Sequence, residues 1–135
     1  MANKLIERII RRGKLVALIV RQGYRLTGLQ FFSEPSASQQ IGMMEHPSDY
    51  IIQRHIHKRI ERRIINTSET FIVQAGLVEA EIYDNTKKLI KTVTLKRGDL
   101  ISFVSGGHGF KFLKRSRVIE IKQGPYLPLG DKERF

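Results

Sequence analysis

Residues 69–113, ETFIVQAGLVEAEIYDNTKKLIKTVTLKRGDLISFVSGGHGFKFL, are a succession of short apolar runs cut by turn formers. The runs are TFIVQA (70–75), LVEAEIYD (77–84), LIKTVTL (89–95), LISFVS (100–105) and HGFKFL (108–113). Their β-branched and aromatic residues suit a pleated, half-buried surface. Asp84-Asn85-Thr86, Arg97-Gly98-Asp99 and Gly106-Gly107 separate them, and these residue types close tight turns. The stretch predicts consecutive short strands.

The same texture extends outward. RVIEIKQ (117–123) follows, and GLQFF (28–32), QQIGMM (39–44) and YIIQRHIH (50–57) precede, divided by Ser33-Glu34-Pro35-Ser36 and His46-Pro47-Ser48-Asp49. LIERII and KLVALIVR (14–21), joined across Arg12-Gly13, read as a hairpin. The rival reading is one amphipathic helix from Leu5 to Val20, against which stand Gly13 and the nearly all-apolar second half. Many short strands without a convincing long helix predict an all-β sandwich or jelly-roll barrel. We expect one domain over 1–135: a hairpin at about 4–21, a core at about 28–123 and a tail at 124–135 that wraps the barrel.

Composition narrows the classes. Of 135 residues, 41% are hydrophobic and 27% charged, an ordinary globular balance. No apolar run reaches the roughly 18 residues that suggest a membrane span. The opening MANKLIERIIRRGK lacks the uninterrupted apolar stretch of a secretory signal, so the cytoplasm is the expected location. With no cysteine, any metal must be held by His, Asp or Glu. The net charge of +11 raises anionic partners, but the cations are spread along the chain, whereas nucleic-acid modules more often gather them in one arm or helix.

His55 and His57 stand two apart in a strand-like run, which sends both rings to one face with Cα atoms roughly 6.5–7 Å apart. If that face points inward, both can reach one metal at about 2 Å; otherwise they are an exposed pair among Arg54, Lys58 and Arg59. Glu69 is in phase with Phe71, Val73 and Ala75, so it is either a buried carboxylate needing a cation or a strand-end group reaching solvent. His108 is in phase with Phe110 and Phe112 and reads as a metal ligand or a hydrogen-bonded core histidine. Three histidines and a carboxylate suit Zn, Fe, Mn, Ni or Cu without choosing between them.

In these residues the chain resembles the cupin superfamily. Its first motif, G-x5-H-x-H-x3,4-E-x6-G, is approached by His55-x-His57 and Glu69-x6-Gly76, although eleven residues separate His57 from Glu69 and Glu61 has the closer spacing. Its second motif is approached from Gly98-Asp99 through Gly106-Gly107-His108, with Val104 at the proline position. The KQGPY stretch at 122–126 and the closing Asp131-Lys132-x-Arg134-Phe135 look like small single-domain cupins of polysaccharide and nucleotide-sugar gene clusters. The resemblance implies a jelly-roll (double-stranded β-helix) barrel with an N-terminal β-hairpin extension. It also implies a homodimer and a divalent transition metal on His55, His57, Glu69 and His108.

Around that site Arg54, Arg62 and Tyr50 are the candidate substrate contacts; a guanidinium can clamp a carboxylate or phosphate, or Arg62 merely coats a strand. The expected ligand is carbohydrate-related or a small anion. Isomerase, epimerase, lyase or oxygenase chemistry fits, as does non-catalytic binding of the same ligands.

Overall fold

The computed structural model describes residues 4–135 as ten strands. They are β1 (Ile6–Arg11), β2 (Lys14–Val20), β3 (Gly28–Phe31), β4 (Gly42–Glu45), β5 (Glu69–Ala75), β6 (Leu77–Tyr83), β7 (Leu89–Lys96), β8 (Leu100–Phe103), β9 (Gly107–Phe112) and β10 (Arg117–Lys122). No helix of the described residues is long and apolar enough to cross a membrane. The chain divides into two compact units, one formed by the chain up to Tyr24 together with Asn66–Phe135, the other by Arg25–Ile65.

The first unit is two antiparallel sheets, ordered β1-β2-β8-β5-β10 and β7-β6-β9. Among the described residues they remain separate sheets and no closed barrel forms. β1 and β2 make the expected hairpin, from Ile6↔Val20 to Arg11↔Lys14, around Arg12 and Gly13 at φ of 52° and 73°. The hairpin is not an extension, however. β2 pairs on its other side with β8, Ala17 opposite Phe103, and so runs inside the five-stranded sheet. That is why Val16 to Val20 are apolar without alternation: both faces of the strand are buried.

Alternation places the core. One inward row of the larger sheet runs Ile19–Ile101–Phe71; the next runs Ile9–Ala17–Phe103–Glu69–Lys122. The smaller sheet contributes Val78, Ala80 and Ile82 from β6 and Val93 and Leu95 from β7 to the same cluster. β9 sets Phe110 beside Ala80 and His108 beside Ile82. Each fully buried aliphatic or aromatic side chain is worth about 1.5–3 kcal/mol, so facing apolar rows, rather than the turns, hold the unit together.

Two polar details set how the sheets are joined. Gly76, at φ 93°, is the corner between β5 in one sheet and β6 in the other. A Cβ there would lie 2.1 Å from Ser116 Oγ and 2.6 Å from the Arg115 carbonyl. Asp99 is fully buried and accepts hydrogen bonds from Arg21 Nη1 (2.9 Å) and from the backbone N–H groups of Gln22 and Lys96 (3.0 Å each). It fastens the β7–β8 turn to the end of β2.

The second unit contains the β3–β4 hairpin, paired from Gly28↔Glu45 to Phe31↔Gly42. Arg25 grips the Glu45 carboxylate, Nε at 3.1 Å, and holds it below the usual carboxylate range. The strand expected over YIIQRHIH (50–57) is absent: residues 50–65 carry no regular structure and are exposed throughout. The segment has the isoleucines of a strand but places Arg54, Lys58, Arg59, Arg62 and Arg63 among them. No strand pairs with it among the described residues to satisfy its backbone groups. Phe112, in phase with His108 and Phe110, is nevertheless 56% exposed at the end of its strand, as is Phe31 at 55%.

Candidate functional site

The inward row ending in Glu69 and Lys122 meets the inward row of β9 at His108, all within the first unit. Phe103, immediately opposite Glu69 in register, stacks on the His108 ring with centroids 4.0 Å apart and planes 12° apart. Phe71 and Phe110 close on the same ring edge-to-face at 5.7 and 5.8 Å. The histidine sits in an aromatic box because its strand alternates in phase with the core. Its side chain keeps 25% of its surface open, and that of Glu69 only 9%.

Across the gap between the sheets, His108 Nε2 lies 2.9 Å from Glu69 Oε2. Lys122 Nζ stands 3.9 Å from the other carboxylate oxygen. The hydrogen bond from His108 holds the Glu69 carboxyl below its ordinary range; burial opposes this, and the charges of His108, Lys122 and Lys132 add to it. Lys122 is in turn bound to Asp131 of the C-terminal tail at 3.1 Å, and Thr67 Oγ1 donates to the same carboxylate at 3.0 Å. The Asp131 bond raises the Lys122 ammonium above its ordinary range despite partial burial.

Of the four residues predicted as metal ligands, Glu69 and His108 are brought together. His55 and His57 lie in the other unit, on the exposed irregular segment, with ring centroids 5.2 Å apart and His55 Nδ1 2.8 Å from the Gln53 carbonyl. Arg54, Arg62 and Tyr50 share that exposed segment, and Tyr50 stacks on His46 at 3.8 Å. Among the described residues no three His, Asp or Glu side chains are grouped as a metal site. Glu69 and His108 are donors of the kind that hold a divalent metal, but they are two of the four expected ligands, and each is hydrogen-bonded to the other.

Sequence alone assigns no site role to Lys122, Asp131 or Thr67, although the first two lie in the stretches that resemble small cupins. A lysine ending a strand reads as solvated, and Asp131 lies in a proline- and glycine-rich tail without periodicity. The only available signal was phase: Lys122 alternates with Val118, which packs on the core.

Among family models, curated proteins and solved structures, no match to this chain was found.

Proposed function

We propose that the Glu69–His108 pair is the acid–base centre of a small cupin-type enzyme. It exchanges a proton with a carbohydrate-related or small anionic compound in an isomerase- or epimerase-type step. The observation that carries this reading is the 2.9 Å contact between His108 Nε2 and Glu69 Oε2, made from facing sheets inside an aromatic box. A buried carboxylate on one imidazole nitrogen fixes the tautomer and stabilises the imidazolium formed when the other nitrogen takes a proton. Here Glu69 holds Nε2–H and Nδ1 is the base. It removes a proton from the carbon next to a carbonyl, leaving an enolate. The proton returns either to that same carbon (epimerisation) or to the former carbonyl carbon while the adjacent hydroxyl proton passes to the carbonyl oxygen (isomerisation). Such positioned proton transfer contributes about 10²–10⁴-fold. Lys122 adds a positive field for an anionic ligand.

The two facing antiparallel sheets and the inward Glu and His support a jelly-roll barrel of cupin type as the finer fold. The homodimer that the cupin resemblance implies remains part of the proposal. The divalent metal of that resemblance would have to separate Glu69 from His108.

The test is deuterium incorporation in D2O from simple aldoses, uronic acids and 2-keto acids, with and without EDTA, alongside elemental analysis. We expect exchange that survives EDTA and falls about 100-fold in His108→Phe. Binding without exchange in the parent protein would leave a plain sugar- or anion-binding module. Near-stoichiometric metal, lost in His108→Phe and in His57→Ala together with exchange, would replace the metal-free reading with a metal centre.

A further inference from the structure

The tail after β10 returns across the end of the unit where Glu69 and His108 meet, and three of its side chains are tied down. Asp131 binds Lys122 and Thr67. Glu133 meets Lys87 at 2.6 Å. Phe135 packs edge-on against Tyr83 at 5.1 Å and lies close over Gly107, the residue before His108. These anchors join the β5–β10 side of the unit to the β6–β9 side. Residues 124–135, the anchors included, are nevertheless all exposed, Phe135 at 64%.

The Asp131 contact has the form of a ligand contact. One oxygen, Oδ1, takes the ammonium of Lys122 at 3.1 Å, and the other, Oδ2, takes the hydroxyl of Thr67 at 3.0 Å. Both donors belong to the body of the unit: Lys122 closes the inward row in register with Glu69, and Thr67 lies two residues before it. Lys132 adds positive potential felt at Glu69. The cradle therefore recognises a carboxylate beside the proton-transferring pair, and the chain's own Asp131 fills it.

We infer that Lys122 and Thr67 form the carboxylate subsite of the ligand, and that Asp131 is an internal stand-in which a substrate carboxylate displaces. This rests on the acid–base reading above and adds the ligand class: a compound carrying a carboxylate next to the carbon that exchanges its proton. A ligand that must first free the subsite binds more weakly by the fraction of time the subsite is free. The tail therefore sets affinity without touching the reacting atoms.

The experiment uses acetate, the smallest carboxylate, titrated into the full-length protein by amide and side-chain NMR. Parent protein is compared with Asp131→Ala, the near-isosteric Asp131→Asn, and Lys122→Met combined with Asp131→Ala. We expect both Asp131 variants to bind acetate at least about tenfold more tightly than the parent. Shifts should centre on Thr67, Lys122 and His108, and binding should disappear in the double variant. Unchanged affinity in well-folded Asp131→Ala and Asp131→Asn would overturn the inference. So would acetate shifts centred on the basic cavity of about 200 Å³ beside Arg11, Arg12 and Lys14. Because acetate has no exchange chemistry to perform, failure here is distinguishable from failure of the D2O experiment.

Discussion

Replacing His108 by Phe keeps an aromatic ring to stack on Phe103 and removes the nitrogen that meets Glu69. What remains is a carboxylate whose side chain is 9% exposed, with Lys122 at 3.9 Å as its nearest cation. Removing one partner of a fully buried pair costs about 3–5 kcal/mol. Because Lys122 persists and the ring edge reaches solvent, about 2–3 kcal/mol is the expected loss here, in the range of a hydrogen bond to a charged group. At roughly 3–4 °C per kcal/mol for a chain of this size, Tm falls by about 6–12 °C. Glu69→Gln keeps an acceptor and costs about 1 kcal/mol. The double variant recovers about 1.5 kcal/mol of the summed losses, since no carboxylate is left stranded. Urea midpoints for the four proteins give the cycle. Glu69 is depressed in the folded state, so its stabilisation is complete above its unfolded value near about 4.3 and is lost as pH falls through the lower folded value. Glu69→Gln therefore flattens that part of the acid limb. A coupling energy below about 0.5 kcal/mol, with an unchanged acid limb, would refute the pair as a structural and chemical unit.

Further outcomes follow from the same geometry. Asp99→Ala leaves the Arg21 guanidinium without its buried carboxylate and removes three hydrogen bonds, so a loss of about 3–5 kcal/mol in chemical denaturation is expected. Gly76→Ala puts a Cβ into the Ser116 hydroxyl and the Arg115 carbonyl at a left-handed corner. It should cost about 2–4 kcal/mol, and a variant as stable as the parent would contradict the corner. Limited trypsin digestion should cut first between Arg54 and Arg63, where the chain is exposed and irregular. First cuts within the β1–β2 turn, read by mass spectrometry, would argue against that order.

How far the fold could be read in advance differed by segment, for physical reasons. In LVEAEIYD the alternation is written into the residues, and β6 buries every second side chain as that pattern demands. KLVALIVR was legible as a strand, but its depth was not. Its partner β8 comes some eighty residues later, and only that pairing turns a terminal hairpin into the interior of a sheet. YIIQRHIH carries strand-like residues, yet strand formation needs a partner backbone, and none pairs with it among the described residues. The site divides in the same way. Glu69 and His108 announce themselves by sharing phase with Phe71 and Phe110. Lys122 and Asp131 become significant only when the tail folds back, bringing Asp131 to Lys122 nine residues earlier and to Thr67 sixty-four residues earlier, which no local pattern encodes.

The irregular segment over 50–65 also bears on how the protein behaves at high concentration. Ile51, Ile56 and Ile65 are each more than 80% exposed, and uncharged they would stack between molecules as a cross-β ribbon. Five arginines and lysines interleaved with them act as gatekeepers, since stacking in register would superpose like charges. That protection is electrostatic and is screened within a few ångströms at molar salt. Colloidal stability should therefore decline with ionic strength while the two-sheet unit stays folded, making salt a trigger for self-association that is separate from unfolding.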